Sequence, residues 1–171
     1  MLARNEIMIK WSLYTAAAAL CLLAQGAIFQ RITLWGVIPF LYPLLAVIPA
    51  TYESPVAGTV FALCVGVVCD LLLPGSPPCL YTLMFPLAGL CASLLSQSVL
   101  PAGYLCSLVG TSAAFILTDG FRCFLLWMEG RSAWQSGAYL MLREFCVTAP
   151  LVFPATALFR AVARKVHRLY D

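Results

Sequence analysis

Five ionisable side chains stand inside otherwise apolar stretches of this sequence: Asp70, Asp119, Arg122, Arg143 and Glu144. On insertion scales a charge at the centre of a membrane helix costs about 2.5–3.5 kcal/mol, so residues kept there need an explanation. Three kinds of chemistry are open to them. Two aspartates sharing one proton can work as a dyad. Acids and arginines together can form an ion-pair network, and the same groups around a cavity can hold a polar ligand. Asp119 and Arg122 are three residues apart and meet on one helix face. Arg143 and Glu144 are adjacent, point about 100° apart, and need partners on other helices. Asp70 has no partner on its own helix, and Arg122 or Arg143 is the expected one. The expectation is therefore an intramembrane polar network that fixes helix packing, with a ligand or partner-helix site as the alternative.

Other chemistries find no support. There is no GxSxG, HExxH or Walker A motif. The chain has a single asparagine, Asn5, and so lacks the asparagine-containing motifs expected around a lipoprotein signal peptidase site. No enzyme activity is expected. Cys21, Cys64, Cys69, Cys91, Cys106, Cys123 and Cys146 fall in apolar runs, and Cys79 lies near a loop. None forms a CxxC pair, and the only histidine, His167, is in the charged tail. Zinc and iron–sulfur sites need clustered ligands at short spacing, so no metal or cofactor is expected and the cysteines read as small packing residues.

The elements that must carry these charges are membrane helices. Of 171 residues 63% are hydrophobic and 10% charged, and the mean hydropathy is +0.94. Soluble domains carry about 25% charged residues. The net charge of +3 is too small and too localised for nucleic acid. A helix needs roughly 20 apolar residues to cross the hydrocarbon core. Six candidate spans follow, at about 11–29, 34–50, 55–73, 80–95, 102–128 and 137–159. The second is short and broken by Pro39, Pro43 and Pro49, and the third ends at the turn sequence Pro74-Gly75-Ser76-Pro77-Pro78. The fold class is thus all-α, a single polytopic six-helix bundle. The first span is read as an uncleaved helix rather than a signal peptide.

Basic residues set the expected orientation. One side holds Arg4, Lys10, Arg160, Arg164, Lys165 and Arg168; the other holds Arg31 and Arg131. This asymmetry puts both termini in the cytoplasm and all five buried charges in the outer half of the membrane. Trp11, Trp35, Trp127 and Trp134 lie at or near span ends, as interfacial indoles do. Gly58, Ala62 and Gly66 recur every four residues ahead of Asp70, and Gly110, Ala114 and Thr118 repeat the spacing. Small residues at that interval let a neighbouring backbone approach. They are read as helix-packing ridges, open to a partner's transmembrane helix.

Several segments taken together resemble the rod shape-determining protein MreD family. They are Ala24-Gln25-Gly26, then Leu34-Trp35-Gly36-Val37-Ile38-Pro39, then Phe61 through Gly66 to Asp70-Leu71-Leu72, the Pro74-Gly75-Ser76-Pro77 turn, Leu80-Tyr81-Thr82-Leu83 and Leu87-Ala88-Gly89-Leu90. The chain departs from the family pattern at Phe40, where an acidic residue is expected, and at Pro77-Pro78-Cys79, where Pro-Leu-Gly is expected. The resemblance implies a non-enzymatic scaffold of the bacterial elongation machinery in the cytoplasmic membrane, serving lateral peptidoglycan synthesis and rod shape. The implied partners are the bitopic protein MreC, a penicillin-binding transpeptidase, RodA and, indirectly, MreB. Asp70 is the position that carries over from the family pattern. The competing expectation is a substrate-binding six-helix subunit of a vitamin-uptake transporter, which would place a polar pocket on the outer side.

Overall fold

The computed structural model describes residues 2–73, 78–130 and 134–170. The Pro74 to Pro77 turn, Arg131 and the side chains of Arg4, Trp134, His167 and Arg168 lie outside that description. Helices α1 (Leu2–Ala27), α2 (Tyr42–Ala50), α3 (Pro55–Leu72), α4 (Leu80–Ser98), α5 (Tyr104–Met128), α6 (Trp134–Thr148) and α7 (Val152–Tyr170) account for most of the chain, with one-turn 3₁₀ segments at Phe29–Arg31 and Ala149–Leu151. The second 3₁₀ turn, at Ala149-Pro150-Leu151, joins α6 and α7 into one bent rod, because Pro150 lacks the donor an α-helix needs. Among the described residues six helical rods result. Five of them, Ile7–Arg31, Pro55–Leu72, Leu80–Ser98, Tyr104–Met128 and Gln135–Val166, are long and apolar enough to cross a bilayer.

Side-chain bonds define the two ends of the bundle. At the proximal end Lys10 Nζ pairs with Glu53 Oε2 at 2.6 Å, and Ser93 Oγ donates to the Glu53 carbonyl at 3.0 Å. At the distal end Gln25 meets the Pro39–Leu41 backbone, and Thr148 meets Phe40. The chain therefore passes from the distal end at Leu41 to the proximal end at Glu53, with α2 as the crossing. Helix α2 is far shorter than the expected 34–50 span. Residues 34–41 are not helical: Leu34 and Val37 close a tight turn over Trp35 (φ 54) and Gly36 (φ 74). Pro39 then biases Ile38 toward extended backbone, and the helix starts only with Pro43 in its first turn.

A nine-residue helix spans only about 13 Å. It serves as a crossing because lipid never reaches it. All nine residues are buried, and α1, α3, α4, α5 and α7 all pack against it. Non-helical backbone at membrane depth is tolerable only inside protein, with its polar groups satisfied there. Gln25 and Thr148 provide that satisfaction for residues 39–41.

Small residues bring the surrounding helices to backbone contact. A Cβ on Gly66 would stand 2.5 Å from the Tyr81 carbonyl oxygen, and one on Gly58 would stand 3.0 Å from Ala50 Cα. Gly89 faces Ala62, and Gly110 faces Val47 and Ala92. The ridges of α3 and α5 thus pack against α2 and α4 of the same chain. This corrects the expectation that they lie open to a partner helix: a short central helix leaves a narrow space that only small neighbours can close. Large apolar side chains instead cover the outside, including Val56, Val60 and Leu71 on α3, Leu83 and Leu94 on α4, and Leu105 and Ile116 on α5. Such a continuous apolar exterior requires lipid as its solvent.

Candidate functional site: a polar cavity at the distal end

The five charges predicted to form one network are found in three places. Asp70, at the end of α3, accepts hydrogen bonds from Tyr81 N–H (3.2 Å), Thr82 N–H (2.8 Å) and the Thr82 hydroxyl (2.6 Å). The start of α4 needs this help. Its N-cap residue, Cys79, sits in left-handed backbone and offers no side-chain cap. The first amides of a helix are unsatisfied donors at the positive end of its dipole, which suits a carboxylate. The expected arginine partner is therefore replaced by the N-terminus of α4. Both sides of the bond are set by the chain: Gly66, one turn before Asp70, lets α4 come close enough to be capped from outside.

Arg143 takes a second place. Its guanidinium lies 5.6 Å from the Tyr139 ring centroid, and Nη2 is the atom nearest the pro-Cβ position of Gly36. Trp35, Leu142 and Cys146 complete this shallow recess. Glu144, one residue on, points elsewhere, as adjacency on a helix requires.

The remaining three charges, Asp119, Arg122 and Glu144, do come together. They border a cavity of about 320 Å³ between the 30–40 segment and helices α5 and α6, together with Gln25, Gln30, Tyr42, Tyr81 and Leu140. Asp119, Arg122 and Glu144 also border a smaller crevice of about 70 Å³ beside Cys123 and Gly137. Gly137 faces the Cys123 side chain so closely that a Cβ there would overlap the sulfur, and this contact seats α6 on α5. Among the described residues no salt bridge closes within this group, and Asp119 Oδ2 is buried without a hydrogen-bond partner. Asp70 and Asp119 share no hydrogen bond, so the two aspartates do not form a dyad.

Several residues matter that their sequence context did not mark. Gln25, only 2% exposed, donates from Nε2 to the Pro39 carbonyl at 2.9 Å and accepts at Oε1 from Leu41 N–H at 3.1 Å. It was legible only as a family mark, yet it is the sole amide in the first apolar run. A proline-rich segment that cannot bond to itself is the natural partner of such an amide. Thr148 accepts from Phe40 N–H at 3.0 Å and completes the clamp. Glu53 sits in the short link between α2 and α3, between the expected spans 34–50 and 55–73, and its side chain is 9% exposed.

A second recess is apolar. Trp11, Thr15, Ala18, Ala19 and Leu22 of α1 face Val60, Cys64, Val65 and Val68 of α3 across a groove of about 430 Å³. Here two neighbouring helices stand apart, with small residues on the α1 side.

Comparison of the chain with protein-family models, with curated proteins and with solved structures gives no match in any of the three. Fold and site therefore define a class, a multi-pass helical membrane protein with a buried central helix, and nothing narrower.

Proposed function

We propose that this chain is a scaffold subunit of the bacterial elongation machinery, seated in the cytoplasmic membrane with both termini inside, that supports lateral peptidoglycan synthesis by helix contacts. The partner in direct contact would be the transmembrane helix of MreC, with the penicillin-binding transpeptidase, RodA and MreB reached through the complex. One observation carries this reading: the α1–α3 groove, where small residues of α1 line an apolar recess against α3. In lipid, helices associate through close packing at small residues, and Ala18, Ala19 and Cys64 provide such a surface. The residues that support the family resemblance serve architecture here. Gln25 clamps a backbone, Asp70 caps a helix, and the glycines permit close approach. The proximal end carries Lys10, Arg160, Arg164 and Lys165, which favours its cytoplasmic placement.

The experiment is photocrosslinking in cells that co-express MreC. A photoreactive residue at Thr15 or Val60, inside the groove, should give a MreC adduct; one at Leu83, on the outer face of α4, should not. Adducts from all three positions, or from none, overturn the assignment. A second reading is favoured by the polar cavity: a substrate-binding subunit of a vitamin-uptake transporter would present such a cavity on its outer side. Co-purification with an energy-coupling ATPase in place of MreC would support it.

A further inference from the structure

We propose that the distal cavity is a binding site for a small zwitterionic group, a protonated amine held beside an anionic group, of the kind carried by an amino acid or an ethanolamine-phosphate headgroup. The site is compatible with either role above and depends on neither.

The polar groups at the cavity are too many, and too poorly matched to one another, to be packing. A structural ion pair between Asp119 and Arg122, three residues apart on one helix, would close on itself. It does not: Asp119 Oδ2 is buried with no partner, and no salt bridge joins the pair. A buried carboxylate oxygen without a donor is costly and calls for a partner, whether water, ion or ligand, and this one belongs to a residue that borders a cavity. Glu144 approaches from α6, so two carboxylates face one guanidinium. An ammonium group between Asp119 and Glu144 supplies the missing donors and balances the extra negative charge. Arg122, exposed at the cavity's edge, is then free to take a carboxylate or phosphate in its planar fork. The volume, about 320 Å³, is at the small end of ligand pockets. Exposed Gln30 and Arg122 show that the cavity reaches the surface at the distal end. Two sources fit this chemistry: a soluble molecule entering from outside, or a phosphatidylethanolamine headgroup entering from the bilayer.

The test uses the full chain in nanodiscs and follows thermal unfolding. One arm adds O-phosphoethanolamine to protein in phosphatidylcholine discs, whose quaternary headgroup cannot donate a hydrogen bond. The other replaces a third of the lipid with phosphatidylethanolamine. A ligand at 100 times its Kd should raise Tm by about 5 °C in a chain of this size. A rise in the first arm identifies a soluble zwitterion. A rise in the second alone identifies the lipid headgroup. Asp119→Asn should abolish either rise. Should that variant fail to fold, Leu140→Trp, which fills the cavity from an exposed position on α6, provides the same loss. No rise in either arm, or a rise that both variants retain, overturns the proposal.

Discussion

Replacing Asp70 with alanine removes the acceptor for two amides and a hydroxyl at the start of α4. Hydrogen bonds to a charged group are worth about 1.5–3 kcal/mol each. Asp70 is only half-buried, so water recovers part of that, and the net loss should be about 2–4 kcal/mol. For a chain of this length that lowers Tm by about 5–15 °C. Asp70→Asn keeps one acceptor but turns an NH₂ toward the other amide, and should lose about half as much as alanine. With the exposed Cys64, Cys79, Cys91 and Cys146 blocked beforehand, a thiol-reactive dye reads the transition, because Cys21, Cys69 and Cys106 are buried until the bundle opens. A double-mutant cycle with Arg122→Ala separates capping from ion pairing. Capping predicts a coupling below about 0.5 kcal/mol, whereas residues in direct contact couple by about 0.5–3 kcal/mol. An Asp70→Ala variant as stable as the wild type, or a coupling above about 1 kcal/mol with Arg122, refutes the cap.

Other substitutions test the remaining joints of the bundle. Gln25→Leu leaves the Pro39 carbonyl and Leu41 amide without their side-chain partner inside the bundle; the loss should reach about 2–4 kcal/mol, read as a Tm fall in the same assay. Gly66→Ala drives a Cβ into the Tyr81 carbonyl, a backbone atom that cannot swing aside. It should cost at least about 1–3 kcal/mol, and bulkier residues should prevent insertion altogether, seen as loss of the protease-protected protein. Lys10→Met should destabilise more than the double change Lys10→Met/Glu53→Leu, since the single change strands a buried carboxylate and the double change removes it; equal Tm values for the two would count against a buried pair.

What the sequence disclosed and what it withheld divide along physical lines. Long apolar runs announce their own helices, so α3, α4 and α5 begin and end close to where composition places them. The 34–50 run was misleading because hydropathy measures burial without saying what does the burying. A segment sheathed by protein is as apolar as one bathed in lipid, but it need not be helical throughout. The charges were visible, and so was their shared end of the membrane; their grouping was not. Asp70 and the start of α4 are separated by a turn whose length gives no hint that a helix terminus, rather than an arginine, will fill the site. Arg143 and Glu144 could be assigned to different neighbours from adjacency alone, and that separation is observed. The α1–α3 groove could not have been anticipated, since it depends on how far the two helices part beyond their contact at Trp11, Tyr14 and Phe61.

The buried α2 also constrains how the chain can enter a membrane. A nine-residue, proline-bearing segment offers the translocation machinery too little length to be released into lipid as an independent helix. The Pro39 carbonyl and the Leu41 amide find their partner in Gln25 and the Phe40 amide finds its partner in Thr148, and those residues lie in the first and last rods. Synthesis therefore reaches residue 148 before the second crossing is complete. The second crossing is thus finished only when the first and last rods close around it, and a chain that lacks the last rod lacks the acceptor for the Phe40 amide.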